Sequence, residues 1–249
     1  MQKISKALAW TTLALAAQAS ADTVLGVYAG AGYWDVDYSG DIGKSNARLN
    51  PLDIKDDNHN FYYIALEHPV PLLPNIQLQH NDISTQGTSV LAANQVVLGG
   101  NYGAGSTLRT ELDLTHTDAL FYYELLDNWV NLDLGAGVRK FDGFAKTTDG
   151  TSTSRRDLDG YLPMAYLKAQ GDLPLTGFSV AADLRILRGL DDEVTDYSVK
   201  LAYTTDLIPL FDLGIELGYR SMELKLEDLD QLETDLKLDG PYAGVNFHF

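Results

Sequence analysis

The 249-residue chain contains no cysteine, so no disulfide braces it. Charges or prolines interrupt every greasy segment, and without roughly 18 consecutive apolar residues a membrane-spanning helix is excluded. Basic residues are scarce as well: 18 Lys and Arg stand against 35 Asp and Glu, for a formal charge of −17. Nucleic-acid binders carry a basic patch, so that class of partner is excluded. Net charge bears on solubility and partners and leaves the fold open.

What is present begins at the amino terminus. Lys3 and Lys6 precede an apolar stretch over 7–17 and then Ala19, Ser20 and Ala21, a small-x-small cleavage pattern. This predicts a secretory signal peptide over 1–21 and a single mature domain over 22–249. The apolar stretch is shorter than the roughly 20 residues that cross a bilayer as a helix. Losing it removes two lysines and no acid, which makes the mature chain more negative still. A secreted chain without disulfides is left with a metal site or closure of a sheet on itself as its staple.

Period-two alternation then recurs along the chain. Residues 211–219 place Phe211, Leu213, Ile215, Leu217 and Tyr219 on one face, with Asp212, Gly214, Glu216 and Gly218 between them. The same design appears in 130–139, 178–186 and 197–204. Each reads as a strand with one apolar and one polar or small face. In a soluble sandwich the apolar face points inward; in a membrane barrel it points to lipid and the polar face lines the lumen. Alternation alone does not choose between them.

The connections and the aromatic residues do choose. Short links near 69–74, 126–128, 172–176 and 205–209 alternate with longer polar ones near 39–58, 84–106, 145–157, 190–193 and 227–233, the two-sided pattern of a transmembrane barrel. Phe121, Tyr122, Tyr123, Trp129, Phe178, Phe211, Phe247 and Phe249 collect on the short-turn side. Tyr33, Trp34, Phe61, Tyr62, Phe141, Tyr161, Tyr197 and Tyr219 collect on the other. Two such girdles are expected where a barrel meets the two lipid interfaces. The predicted fold is an all-β, antiparallel up-and-down transmembrane barrel of ten strands, near 24–37, 59–68, 75–84, 107–124, 129–144, 159–171, 177–188, 194–204, 211–225 and 234–249. Eight or twelve strands stay open as counts, because 88–100 reads either as an extra hairpin or as a long loop.

The closing stretch over 241–249, PYAGVNFHF, alternates through Ala243, Val245 and Phe247 and stops at Phe249. This resembles the last strand of bacterial outer-membrane barrels. The resemblance implies an address read by the barrel-assembly machinery through Val245, Phe247 and Phe249, and residence in the outer membrane among lipid and lipopolysaccharide. The segment 121–135, FYYELLDNWVNLDLG, is similar to a proteobacterial family of small outer-membrane barrels to which no activity is assigned. A looser likeness to OmpW-type barrels lies at the level of architecture. Upstream of Pro241, Leu236 and Leu238 occupy the opposite phase, which predicts a bulge or bend near Gly240 and Pro241.

Function is less legible. Charged residues expected inside the barrel are Glu67, Glu111, Asp113, Asp133, Arg139, Lys168, Asp183, Arg185, Lys200, Asp212, Glu216 and Arg220. Both signs alternate, so the set reads either as a salt-bridge network sealing the lumen or as a narrow passive pore for small solutes with cation preference. The competing class is a barrel-borne hydrolase acting on lipid A, phospholipid or peptide. Its acid/base pairs would be His116 with Asp118 or His80 with Asp82, since residues two apart share a face. Nothing points to a cofactor. Acids in the expected loops, Asp53/Asp56/Asp57, Asp191/Asp192/Glu193 and Glu227/Asp228/Asp230/Glu233, are possible oxygen ligands for divalent cations but lack EF-hand spacing.

Overall fold

The computed structural model describes residues 25–42, 57–189, 191–208, 211–227 and 233–249. The expected leader, residues 53 and 56, and residues 228 and 230 lie outside them. Fourteen strands follow one another: β1 Gly26–Ile42, β2 Asp57–Glu67, β3 Asn75–Asp82, β4 Ser84–Val90, β5 Gln95–Val97, β6 Gly100–Tyr102, β7 Thr107–Asp113, β8 His116–Leu126, β9 Val130–Thr148, β10 Thr153–Asp172, β11 Phe178–Leu187, β12 Glu193–Ile208, β13 Phe211–Leu226 and β14 Thr234–His248.

These strands make a closed antiparallel barrel of ten staves. β3 and β4 form one stave and β7 and β8 another, since Asn75 to Asn81 pair with Tyr122 to His116 and Ser84 to Val90 continue the same register against Asp113 to Thr107. The ring closes where β1 pairs with β14, with Tyr28 opposite His248. At the carboxyl terminus, Phe249 and Val27 exchange both backbone hydrogen bonds, at 2.9 and 3.2 Å. The stretch over 88–100 adds no further stave: its first residues complete β4, and β5 and β6 form a separate two-stranded hairpin in the β4–β7 connection. The barrel thus has a turn end, where the connections are short, and a loop end opposite it.

The expected bulge in the closing strand is absent. β14 keeps one register against β13 from His248 through Thr234, and the same register against β1 at both ends of that span. Leu236 and Leu238 therefore point inward, on the same face as Tyr242, and are buried. What changes along the strand is the environment. In β13 the outward residues are apolar at Ile215, Leu217 and Tyr219 and charged at Glu223 and Lys225. The inward residues run the other way, polar at Glu216 and Arg220 and apolar at Met222, Leu224 and Leu226. The lower barrel is apolar outside and polar inside. The upper barrel has the arrangement of a soluble protein, with a core of Trp34, Val36, Phe141, Leu158, Met222, Leu224 and Leu238.

That inversion explains why the strands outrun their expected ends. Residues 145–157, anticipated as a polar loop, are almost entirely strand, because polar groups on the outer face of the upper barrel do not interrupt pairing. Only a four-residue turn links β9 to β10. There the Asp149 carboxylate accepts N–H groups from Ser152 and Thr151, which hold its carboxyl below the usual range. At the turn end, Leu72 and Leu175 adopt positive φ of 71° and 67°. Both side chains are exposed, as are neighbouring Val70, Leu73, Leu125, Leu126, Trp129 and Leu173.

The girdles need sorting by face. Tyr33, Tyr62, Tyr161, Tyr197 and Tyr219 form an outward ring at the height where the faces invert, and Phe121, Tyr123, Trp129, Phe178 and Phe249 lie exposed nearer the turn end. Trp34, Phe61, Phe141 and Tyr122 belong to neither girdle, because their parity turns them inward and they are buried. The side chain of Phe211 lies outside the described residues. Small residues make room for the inward rings: Gly30 faces Tyr63 and Gly32 faces Phe61 across the β1–β2 ladder, and a Cβ at either glycine would overlap the ring. Close packing accounts for these glycines.

Candidate functional site

Between the apolar upper core and the polar lower lumen lies a cross-barrel charge network. Asp118 on β8 accepts two hydrogen bonds from Arg139 on β9, from Nε at 2.7 Å and Nη2 at 2.8 Å. The same Nη2 reaches Asp196 on β12 at 2.7 Å. Asp196 in turn accepts from Arg220 on β13 through Nε at 2.9 Å and Nη2 at 2.7 Å. Arg220 Nη1 donates to Asn81 at 2.7 Å, and Arg185 Nη2 donates to Gln79 at 2.9 Å. Arg139 and Asp118 have no solvent-exposed surface.

Position along each strand sets this network at the level of the tyrosine ring. Asp196 and Tyr197 are neighbours pointing to opposite faces, as are Arg220 and Tyr219, while Arg139 adjoins Lys140, the cross-strand partner of Tyr161. Above the network the guanidinium of Arg220 lies over the Trp34 ring at 4.7 Å, and Arg139 Nη1 meets Met222 Sδ at 3.2 Å. The charges are thus capped directly by the apolar core. Two buried layers lie in series across the bore among the described residues, one of paired charges and one of packed hydrocarbon.

Below the network is a cavity of about 320 Å³. Most of the charges anticipated in the lumen are here or in the network above: Glu67, Asp133, Lys168, Asp183, Arg185, Lys200, Glu216 and Arg220 all line it. Lys168 pairs with Asp133 at 3.2 Å and Lys200 with Glu216 at 2.7 Å. Tyr122 Oη donates to Glu67 at 2.7 Å. Two expectations fail: Glu111 and Asp113 sit on the outward face of β7, where Glu111 pairs with Lys146 at 3.1 Å. Asp212 keeps the inward phase at the turn-end rim, 3.7 Å from His248 and below the cross-barrel network.

The residues missed from sequence are Asp196, Glu124, Asn131 and the inward tyrosines Tyr63, Tyr122 and Tyr166. Asp196 continues the inward series of Ser198 and Lys200 by two residues, so its parity was readable. Its partners on other strands were not.

The two histidine pairs lie in contrasting surroundings. His80 is exposed on the outer face, with Nδ1 2.9 Å from Thr117 Oγ1. His116 is buried; its Nδ1–H donates to the carbonyl of Leu114 at 2.8 Å, which leaves Nε2 a bare acceptor. Asp118, two residues on, is committed to Arg139. The ligating atoms of His116, Asp118 and Asp196 lie within 4.8 Å of one another, yet both carboxylates already neutralise guanidinium groups. A dication there would displace them in a closed interior, so the donor set does not suit a metal.

No protein-family model matches the sequence, and no curated protein does. Among solved structures, the chain is similar to a major outer membrane protein from Thermus thermophilus, at 13% identity and a TM-score of 0.30, over 91% of this chain and 100% of that one. A likeness at that level carries no residue role across. No helix among the described residues is long and apolar enough to cross a membrane, which leaves crossing by strands untouched.

Proposed function

We propose that the protein is an outer-membrane β-barrel that does not conduct, and that presents a one-sided polar vestibule to the periplasm. The observation that carries this reading is the pair of closing layers at the tyrosine ring. A passive pore needs a continuous polar path, and Arg139, Asp118 and Asp196 fill that path with mutually neutralised charge under packed hydrocarbon.

Membrane residence is supported by the outward face of the lower barrel. From Leu25, just before β1, to Tyr33 on it, the face runs eight residues, roughly 26 Å along the chain and near 20 Å along the axis at an ordinary tilt. The apolar turn tips around Leu72 and Leu175 extend this band towards the approximately 25 Å that barrels bury in lipid. Leucines held in a left-handed turn and left bare to water are costly on both counts; lipid at the inner interface removes the second cost. The acidic outer wall above the tyrosine ring then stands in the aqueous exterior beside lipopolysaccharide. Val245 and Phe249 remain outward on the final strand, accessible to the assembly machinery before the ring closes.

The test is reconstitution into planar bilayers. The expected record is flat at potentials where a porin of similar mass gives resolved steps. Stable, cation-preferring steps from the wild-type protein would overturn the closed-bore reading in favour of a narrow pore. The hydrolase reading is less well supported, since His116 is sealed from solvent and His80 lies on the outer wall with its Nδ1 engaged by the Thr117 hydroxyl.

A further inference from the structure

We infer that the outer face of β3, β8 and β9 binds the phosphate headgroup of a membrane lipid at the level of the tyrosine ring, between His80 and Lys140. This rests on the membrane reading above, since it needs lipid against the lower wall.

The tyrosine ring has a gap. One outward cross-strand row runs Tyr62, His80, Thr117, Lys140 and Tyr161 over the neighbouring strands β2, β3, β8, β9 and β10. Tyrosines bound the row, and three polar residues fill the middle, where an unbroken girdle would carry aromatic rings. Lys140 forms no ion pair among the described residues; its ammonium lies 6.0 Å from the centre of the Tyr161 ring. On the wall above, Arg109, Lys146, Arg155 and Lys237 are each paired with an acid. His80 is exposed, and its Nδ1 lies 2.9 Å from Thr117 Oγ1. With that hydroxyl donating, the ring proton sits on Nε2, a second donor on the same face as the ammonium. Two strand spacings, roughly 10 Å, separate the backbones of His80 and Lys140. A phosphate with a charge-assisted hydrogen bond on either side fits that span above Thr117.

The surroundings favour a lipid over a dissolved ion. One row towards the turn end, β8 presents Ala119 between Leu78 on β3 and Val138 on β9, and both larger side chains are exposed. A small residue between two large apolar ones leaves a shallow furrow, which runs from the polar gap down to the exposed ring of Phe121. The first carbons of an acyl chain lie there when the phosphate is held above. On the other side of the gap, the next outward residues are Asp82 on β3 and Asp142 on β9, both exposed. These carboxylates repel an anion that arrives from water. A phosphate carried by a lipid arrives from the apolar side, along the furrow.

Native mass spectrometry of the folded protein, released from detergent micelles holding equal amounts of dioleoyl phosphatidate and dioleoyl phosphatidylcholine, tests this. One retained phosphatidate is expected, at least fivefold over phosphatidylcholine, whose choline neutralises its phosphate. Lys140→Gln and His80→Leu should each lower the phosphatidate adduct several-fold and leave the phosphatidylcholine background unchanged, with the heat-modifiable gel migration of the parent kept. Ala119→Trp, which fills the furrow without touching a charge, should lower it too. Excess inorganic phosphate should leave the adduct in place. Equal retention of the two lipids, an adduct unchanged in both Lys140→Gln and His80→Leu, or displacement by inorganic phosphate would each overturn the assignment. Flotation with phosphatidylcholine liposomes reports membrane residence separately. Flotation without phosphatidate preference removes this site and keeps the membrane barrel, whereas a protein that does not float removes the membrane reading as well.

Discussion

Asp196→Ala is expected to destabilise the folded barrel by about 3–5 kcal/mol, the cost of stranding buried charge. Asp196 is the shared acceptor between Arg139 and Arg220, and its removal takes away three charge-assisted hydrogen bonds at 2.7–2.9 Å in a region closed to water. Arg139 keeps Asp118 as a partner, whereas Arg220 keeps only the neutral Asn81. The double variant Asp196→Leu with Arg220→Met should recover most of the loss, because a buried ion pair replaced by apolar groups of similar volume is close to neutral. Denaturant unfolding in detergent, followed by the shift between folded and unfolded gel mobility, measures both. Equal destabilisation by the single and the double variant would show that the pairing is not what stabilises this layer.

The second large effect follows from the change of environment along β13. Leu224→Ala should cost about 2–5 kcal/mol, since that side chain is fully buried in the upper core and its loss leaves a cavity. Leu217→Ala, seven residues away on the outward face and 60% exposed, should cost well under half as much. Leu217→Arg reverses the ranking in a bilayer: a cation on the lipid face costs roughly 2–4 kcal/mol at the midplane. Unfolding measured in liposomes should therefore find Leu217→Arg strongly destabilising and Leu217→Ala mild. Similar, small costs for both at position 217 would place that face in water.

These contrasts also show what the sequence made readable. Ten staves follow from period-two alternation and turn chemistry, both local signals. The inward side of β9, β11, β12 and β13 was readable for the same reason, which is why Asp133, Arg139, Asp183, Arg185, Lys200, Glu216 and Arg220 fall inside. Leu236 and Leu238 misled because alternation reports which residues are apolar, and not whether water or lipid lies outside. An exchange of apolar and polar faces along a straight strand reads like a slip of register. The same ambiguity turned residues 145–157 into an expected loop and put Glu111 and Asp113 inside.

The cross-barrel charge network was of another kind. It depends on residues 57 and 83 positions apart, such as Arg139 with Asp196 and with Met222, meeting across the bore. No local pattern fixes those meetings. The pairing of Gly30 with Tyr63 and Gly32 with Phe61 lies between the two cases: small and aromatic residues with matching two-residue spacing on consecutive strands were visible, but their register was set only once the hairpin was in place.

The central claim is that one straight barrel stands half in lipid and half in water, with its faces exchanged at the tyrosine ring. The absence of native cysteine makes it directly measurable. Single cysteines at Ile215→Cys and Glu223→Cys lie on the same outward face of β13, eight residues or roughly 26 Å apart along the strand. With an environment-sensitive fluorophore on each and the protein in liposomes, position 215 should be quenched by nitroxides on lipid acyl chains and shielded from aqueous iodide. Position 223 should show the opposite. Equal access of iodide to both positions would contradict the account.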